Sequence, residues 1–171
     1  MRDEFQSINF RDPAQAETIL SGILETERPG LTSNLAGALT EVSEPCTTLV
    51  RLQRFLEAEL NPRTELDLMA AAPRYVRLLT TIFDQSEFLT DIVCRNPEYT
   101  LWLWEEADLA RTPARETLGA DLFAQVQAYA TFDVQCRLLR RFRRREILRI
   151  GVRDVFAHVP LAAVTEDLSN L

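Results

Sequence analysis

RLLRRFRRREILRI, residues 137–150, places seven arginines in fourteen positions of a chain whose formal net charge is −7. Arg153 follows, so eight of the nineteen basic residues lie between Arg137 and Arg153. At ~100° per residue, Val134, Leu138, Phe142, Val152 and Phe156 gather on one side of a helix, the side expected to face a core. Arg140, Arg143 and Arg144 fall opposite, toward solvent. Arg145 and Arg149 fall inside the apolar sector, on the ladder Arg137, Arg141, Arg145, Arg149, Arg153 at a spacing of four. A period of 3.6 with no alternation of two reads as helix, and the expected helix runs over 131–158.

The same period recurs outward from that stretch. RLQRFLEAEL (51–60) sets Leu52, Phe55, Leu56 and Leu60 on one side. Asn61-Pro62 then stops that helix and opens the next, because Asn caps free amides and Pro needs no amide partner at a first helical position. Asn96-Pro97-Glu98, Thr112-Pro113 and Pro73 repeat the device. Helices are expected over 13–28, 33–43, 46–60, 63–71, 73–84, 86–95, 97–107, 113–128 and 131–158. The fold class is all-α, an irregular array of short helices packed on one long arginine-rich helix near the C-terminus. Near the end of the chain Thr165 reads as an N-cap, with Glu166 and Asp167 in the first turn. Barely more than one turn remains before Leu171, too little for a helix to nucleate. A start signal without its helix suggests a chain cut from something longer.

Composition bounds the function classes. At 171 residues, with 46% apolar and 26% charged residues, the chain suits one soluble domain with a real core. All nineteen basic residues are arginine. A net negative charge repels phosphate, so nucleic-acid affinity survives only at the segregated arginine stripe. Phe142 is the sole aromatic within that stripe and faces the core, which leaves no stacking platform. No nucleic-acid partner is expected. Cys46, Cys94 and Cys136 are odd in number and far apart, giving neither a disulfide framework nor a zinc site. No apolar run nears the ~20 residues of a membrane span and the N-terminus lacks a signal core, so the expected location is the cytoplasm, without a membrane partner.

A buried guanidinium keeps its proton and must find carboxylate, carbonyl or phosphate. Pairing with acids of neighbouring helices is the leading reading for Arg145 and Arg149. Contact with a second domain comes next, and a phosphate or nucleic-acid ligand last. Catalytic signals are absent. His158 is the only histidine and is expected to interact with the last carbonyls of its helix. No Asp-x-Asp, Walker A, GxSxG or GxGxxG occurs. Glu105, Glu106 and Asp108 read as a solvated patch, and Trp102 and Trp104 as core or boundary residues. No catalytic, cofactor-binding or metal-ligating residue is expected in this chain.

Two stretches resemble a known family. SEFLTDIVCRNPEYTLWL (86–103) resembles the S-x-F-L … R-x-P-E segment of the bifunctional glutamine synthetase adenylyltransferases and adenylyl-removing enzymes of bacterial nitrogen control. LLRRFRRREILRIGVRDVF (138–156) is similar to the F-R-R-R-x-x-x-R-I helix that precedes their first nucleotidyltransferase domain. LQRFLEAELNPRTELDLMAAAPRYVRLLTTIF (52–83) is similar to the family's helical lead-in, and TEDLSNL (165–171) to the start of its next helix. The resemblance covers about 33–171; residues 1–32 form an unmatched N-terminal segment, expected to be helical.

The resemblance implies a helical lead-in to the adenylyl-removing half of such an enzyme. It also implies chemistry in a Gly-rich turn and a Ser-Asp-x-Asp motif that hold magnesium and ATP. Those motifs lie beyond Leu171, so the chain alone is expected to be inactive. Implied partners are glutamine synthetase, the PII signal protein and a downstream nucleotidyltransferase domain. Arg141, Arg145, Arg149 and Arg153 are then structural or inter-domain contacts. The alternative is a freestanding helical interaction module without catalysis.

Overall fold

The computed structural model describes residues 3–105 and 113–171, apart from the side chain of Asp121, and these residues are all-α, with no strand among them. Two compact units meet in the sequence at Leu101 and Trp102. The first holds a short 3-10 turn (Asp3–Phe5) and helices α1 (Pro13–Ile23), α2 (Leu31–Leu39), α3 (Pro45–Ala58), α4 (Pro62–Ala71), α5 (Pro73–Gln85) and α6 (Glu87–Arg95). The sequence division falls within α7 (Glu98–Glu105). The second unit contains α8 (Arg115–Gln127), α9 (Phe132–Val155) and α10 (Leu161–Asn170).

Proline sets several of these starts. Asn61 caps α4 by accepting the Thr64 amide, and Pro62 takes the first position, where no amide partner is needed. Pro13, Pro45 and Pro73 stand likewise at the starts of α1, α3 and α5. Asn96 closes α6, its side-chain amide donating to the Ile92 carbonyl at 2.9 Å, and α7 starts at Glu98 directly after Pro97. Thr112 lies outside the described residues, and α8 begins at Arg115 without a side-chain cap. Helix α3 ends at Ala58, so Leu60 does not join Leu52, Phe55 and Leu56 in the core; it stands wholly exposed.

In the first unit α3 packs on α1, α5 and α6, and α2 packs on α4 and α5. Leu31, Leu35, Leu39, Leu49, Leu52, Phe55, Val76, Leu79, Ile82 and Phe83 are fully buried there. Each such side chain contributes about 1.5–3 kcal/mol of burial. The N-terminal segment joins this core through Phe5, Ile19, Leu20 and Ile23. Gly30 is obligatory: its φ of 90° is left-handed, and a Cβ there would stand 2.7 Å from the Ala70 carbonyl oxygen. Asp84, at the end of α5, accepts the amides of Ser43 and Glu44 at 3.1 and 3.0 Å and so fixes the approach to α3.

In the second unit the 24-residue α9 carries α8 and α10 against it, whereas α1 to α6 pack on one another. Burial on α9 varies along its length as well as around it. From Phe132 to Arg141 the residues are half-buried or exposed; from Phe142 onward Glu146, Leu148, Arg149, Ile150, Val152 and Arg153 are buried. Arg140, Arg143 and Arg144 are exposed, while Val134, Leu138 and Phe156 are only half-buried. One core-facing stripe over the whole helix is therefore corrected to a C-terminal half enclosed on several sides.

The helix ends at Val155, where His158 adopts a left-handed φ of 51° and the Val159 amide donates to the Arg153 carbonyl at 3.2 Å. His158 is exposed, and its contribution is this backbone turn rather than a side-chain bond to the last carbonyls. Pro160 then opens α10, five residues earlier than the expected cap at Thr165. Thr165 is no N-cap: its hydroxyl donates to the Leu161 carbonyl inside a ten-residue helix.

Candidate functional site

The turn at 156–160 folds α10 back along α9 and sets Asp167 against the arginine ladder. Glu146 and Asp167 are both buried to within 2% of full enclosure. Glu146 accepts from Arg149 Nε at 2.8 Å and from Arg145 Nη2 at 3.2 Å. Asp167 accepts from Arg149 Nη2 at 3.3 Å and, through its other oxygen, from Arg153 Nη1. The result is a chain of alternating charge, Arg145–Glu146–Arg149–Asp167–Arg153, that bolts α10 to α9.

Among the described residues, three guanidiniums face two carboxylates in this row of ion pairs. Arginine cannot shed its proton, so each guanidinium here depends on its partners. Arg145 is 27% exposed on its side chain, and its guanidinium lies 4.7 Å from the centre of the Trp102 ring and 5.5 Å from that of Phe142. The negative ring faces spread its charge where the carboxylates do not reach. Arg149 is more enclosed, and its Nη1 has no hydrogen-bond partner among the described residues. Such a cluster specifies one docking of two helices more than it adds stability, because desolvating the ions offsets much of their attraction.

The structure thus brings Arg145, Arg149 and Arg153 together, with Arg153 the deepest at 1% exposure, and leaves Arg141 exposed one turn earlier. Sequence reasoning missed the two acids. Glu146 was legible, since it precedes Arg149 by three residues on the same helix. Asp167 was misread as a helix N-terminal charge, and no local pattern marks it as a counter-ion. Trp102 and Trp104 are half-buried; Glu105 is exposed, and Glu106 and Asp108 lie outside the described residues. Among the described residues no group of three or more His, Cys, Asp or Glu could hold a metal ion, and no helix is long and apolar enough to cross a membrane.

With this geometry in place, comparison with known proteins is informative. The family model for glutamate-ammonia ligase adenylyltransferase matches residues 76–171, from α5 through the whole arginine ladder to α10. The chain belongs to this adenylyltransferase family. The bifunctional glutamine synthetase adenylyltransferase/adenylyl-removing enzyme of Pseudomonas putida is 31% identical over 137 residues, covering 80% of this chain and 14% of that protein. The protein of the same name from Chromobacterium violaceum is 26% identical over 179 aligned positions, 96% of this chain and 20% of its own length. That from Shewanella loihica is 32% identical over 100 residues, 58% of this chain and 10% of its own. The chain therefore spans between a tenth and a fifth of these adenylyltransferases. No solved structure gives a significant match.

Proposed function

We propose that this chain is the N-terminal helical part of an enzyme that adenylylates and deadenylylates glutamine synthetase in nitrogen regulation. In this reading α9 and α10 are the rigid lead-in that supports an adenylyl-removing nucleotidyltransferase domain. The observation that carries it is the family match over 76–171, which contains every member of the ion-pair chain. Arg145, Arg149 and Arg153 act here as structural residues, and Arg141 is a candidate contact for the following domain. Glutamine synthetase is the substrate, PII the signal, and the cytoplasm the place of action. Among the described residues no group of side chains could hold a metal ion, and in this reading magnesium and ATP are held by the nucleotidyltransferase domain.

A second reading, a freestanding interaction module, draws on the apolar side chains Phe123 and Phe132, exposed by 63% and 74% in the unit that carries the exposed Arg140 and Arg143. Reconstitution separates the two. Adenylylated glutamine synthetase with phosphate should release no ADP in the presence of the chain alone. Release should appear when the polypeptide carrying the family's nucleotidyltransferase domain is added, and fall when the added protein lacks this helical part. Full activity of that domain without the helices would overturn the supporting role.

A further inference from the structure

Glu65 on α4 is 4% exposed, and among the described residues no arginine or histidine pairs with it. Its carboxyl meets the hydroxyl of Tyr75 on α5, with Oε1 and the phenolic oxygen 2.6 Å apart. The Tyr75 hydroxyl also lies 2.9 Å from Thr100 Oγ1 on α7, and the Thr100 hydroxyl donates to the Pro97 carbonyl at 2.8 Å. All three side chains are buried, in the unit that ends at Leu101.

Proton counting distinguishes two states of this row. With Glu65 protonated, it donates to Tyr75, Tyr75 donates to Thr100, and Thr100 donates to the Pro97 carbonyl. Every hydroxyl proton then has an acceptor. With Glu65 ionised, the Tyr75 proton must turn back to the carboxylate. Thr100 has one proton for two acceptors, Tyr75 and Pro97, so one link of the row is lost. The ionised carboxylate is also left nearly dry without a cation, which is costly.

The surroundings favour the neutral state. Helix α2, packed on α4, has no charged residue between Leu31 and Leu39. The end of α3 brings Glu59, a like charge, and α5 brings only the phenol of Tyr75. Burial pushes the Glu65 carboxyl up to about 7; the Tyr75 hydrogen bond pulls it back and Glu59 adds to the rise. Burial and the Glu65 charge push the Tyr75 phenol far up, so it remains a donor throughout.

We propose that Glu65, Tyr75 and Thr100 form a proton-loaded latch that holds α4, α5 and the first turn of α7 together and loosens when Glu65 ionises. The folded carboxyl titrates above its unfolded value. Its contribution is therefore complete below about pH 4.5, declines as pH rises, and is spent once pH passes about 7. This inference is independent of the enzyme reading above.

The test is amide hydrogen exchange at Thr100 and Leu101 in the whole chain between pH 5 and 8, corrected for the intrinsic pH dependence. Opening should speed up by as much as tenfold per pH unit below about 7 and level off above it, the signature of a single proton. Glu65→Gln keeps a donor toward Tyr75 without charge and should remove that slope. The thermal midpoint of wild type should fall by roughly 5 °C more than that of Glu65→Gln over the same range. Parallel curves for the two proteins would overturn the latch. Should the variant fail to fold, carboxyl NMR of wild type decides alone: a Glu65 midpoint near 7 supports it, and one at or below 5 overturns it.

Discussion

Between Phe142 and Asp167 burial leaves charge in place: three guanidiniums meet Glu146 from their own helix and Asp167 from α10. Around Tyr75 burial acts in the other direction, and a carboxyl with no cation is pushed toward its neutral form. The difference lies in which partner can change its proton count. Arginine cannot, so the fold must supply ions of opposite sign. Glutamic acid can, so hydroxyls suffice. The second cluster should therefore feel pH over the neutral range.

The hardest break of this contrast is Asp167→Ala. It removes the carboxylate that Arg149 and Arg153 share and should destabilise the α9–α10 pairing by about 5 kcal/mol. Exchange protection should vanish over Leu161–Asn170 while α3 and α5 keep theirs; retained protection in α10 would refute the ion-pair bolt. Arg149→Met is milder, because Glu146 keeps Arg145 and Asp167 keeps Arg153. A cost of about 3 kcal/mol is expected from denaturant unfolding, and a change below about 0.5 kcal/mol, the range of a surface substitution, would mean Arg149 is not held internally.

Tyr75→Phe leaves Glu65 and Thr100 without their shared hydroxyl and should cost about 2 kcal/mol. That cost should be larger at pH 8 than at pH 5, because the Tyr75 hydrogen bond favours the ionised Glu65 carboxyl; equal costs at the two pH values would detach Glu65 from the row. Asp84 supplies the opposite pH arm. Burial raises its carboxyl, but the amides of Glu44 and Ser43 and the Ser43 hydroxyl outweigh burial and hold it below the ordinary aspartate value. Its stabilisation is present above about pH 4 and lost as pH falls through the depressed folded value. Asp84→Ala should therefore cost about 1 kcal/mol at pH 7 and nothing near pH 2, read from paired urea titrations. Arg140→Gln, on the exposed face of α9, should move stability by less than about 0.5 kcal/mol.

Much of the architecture was legible because its causes are local. The three-four spacing of Leu52, Phe55 and Leu56, and the starts at Pro62 and Pro73, are decided within one or two turns of chain. The same locality explains the errors. Leu60 continued the spacing of α3, yet the backbone had already turned extended at Glu59. Thr165 looked like a cap because a cap residue followed by acids is a local signature; Pro160 had in fact started the helix earlier, and Thr165 spends its hydroxyl on the preceding turn. For the candidate site, the arginine ladder, the need to satisfy Arg149 and the spacing of Glu146 were readable, but Asp167 as a counter-ion was not.

By itself the sequence determined the helices and most of their limits, the family, and the demand that arginines lodged in an apolar sector find acids. Those follow from backbone periodicity, the missing amide of proline and the fixed charge of guanidinium. Only the tertiary structure decided which acids answer. Asp167 lies 18 residues from Arg149, and Thr100 lies 25 from Tyr75. Their meeting depends on the turn at His158 and on the packing of separate helices. A carboxylate that meets a buried cation and one that meets only hydroxyls are the same to any local rule, because desolvation and partner charge exist only once the helices have closed around them.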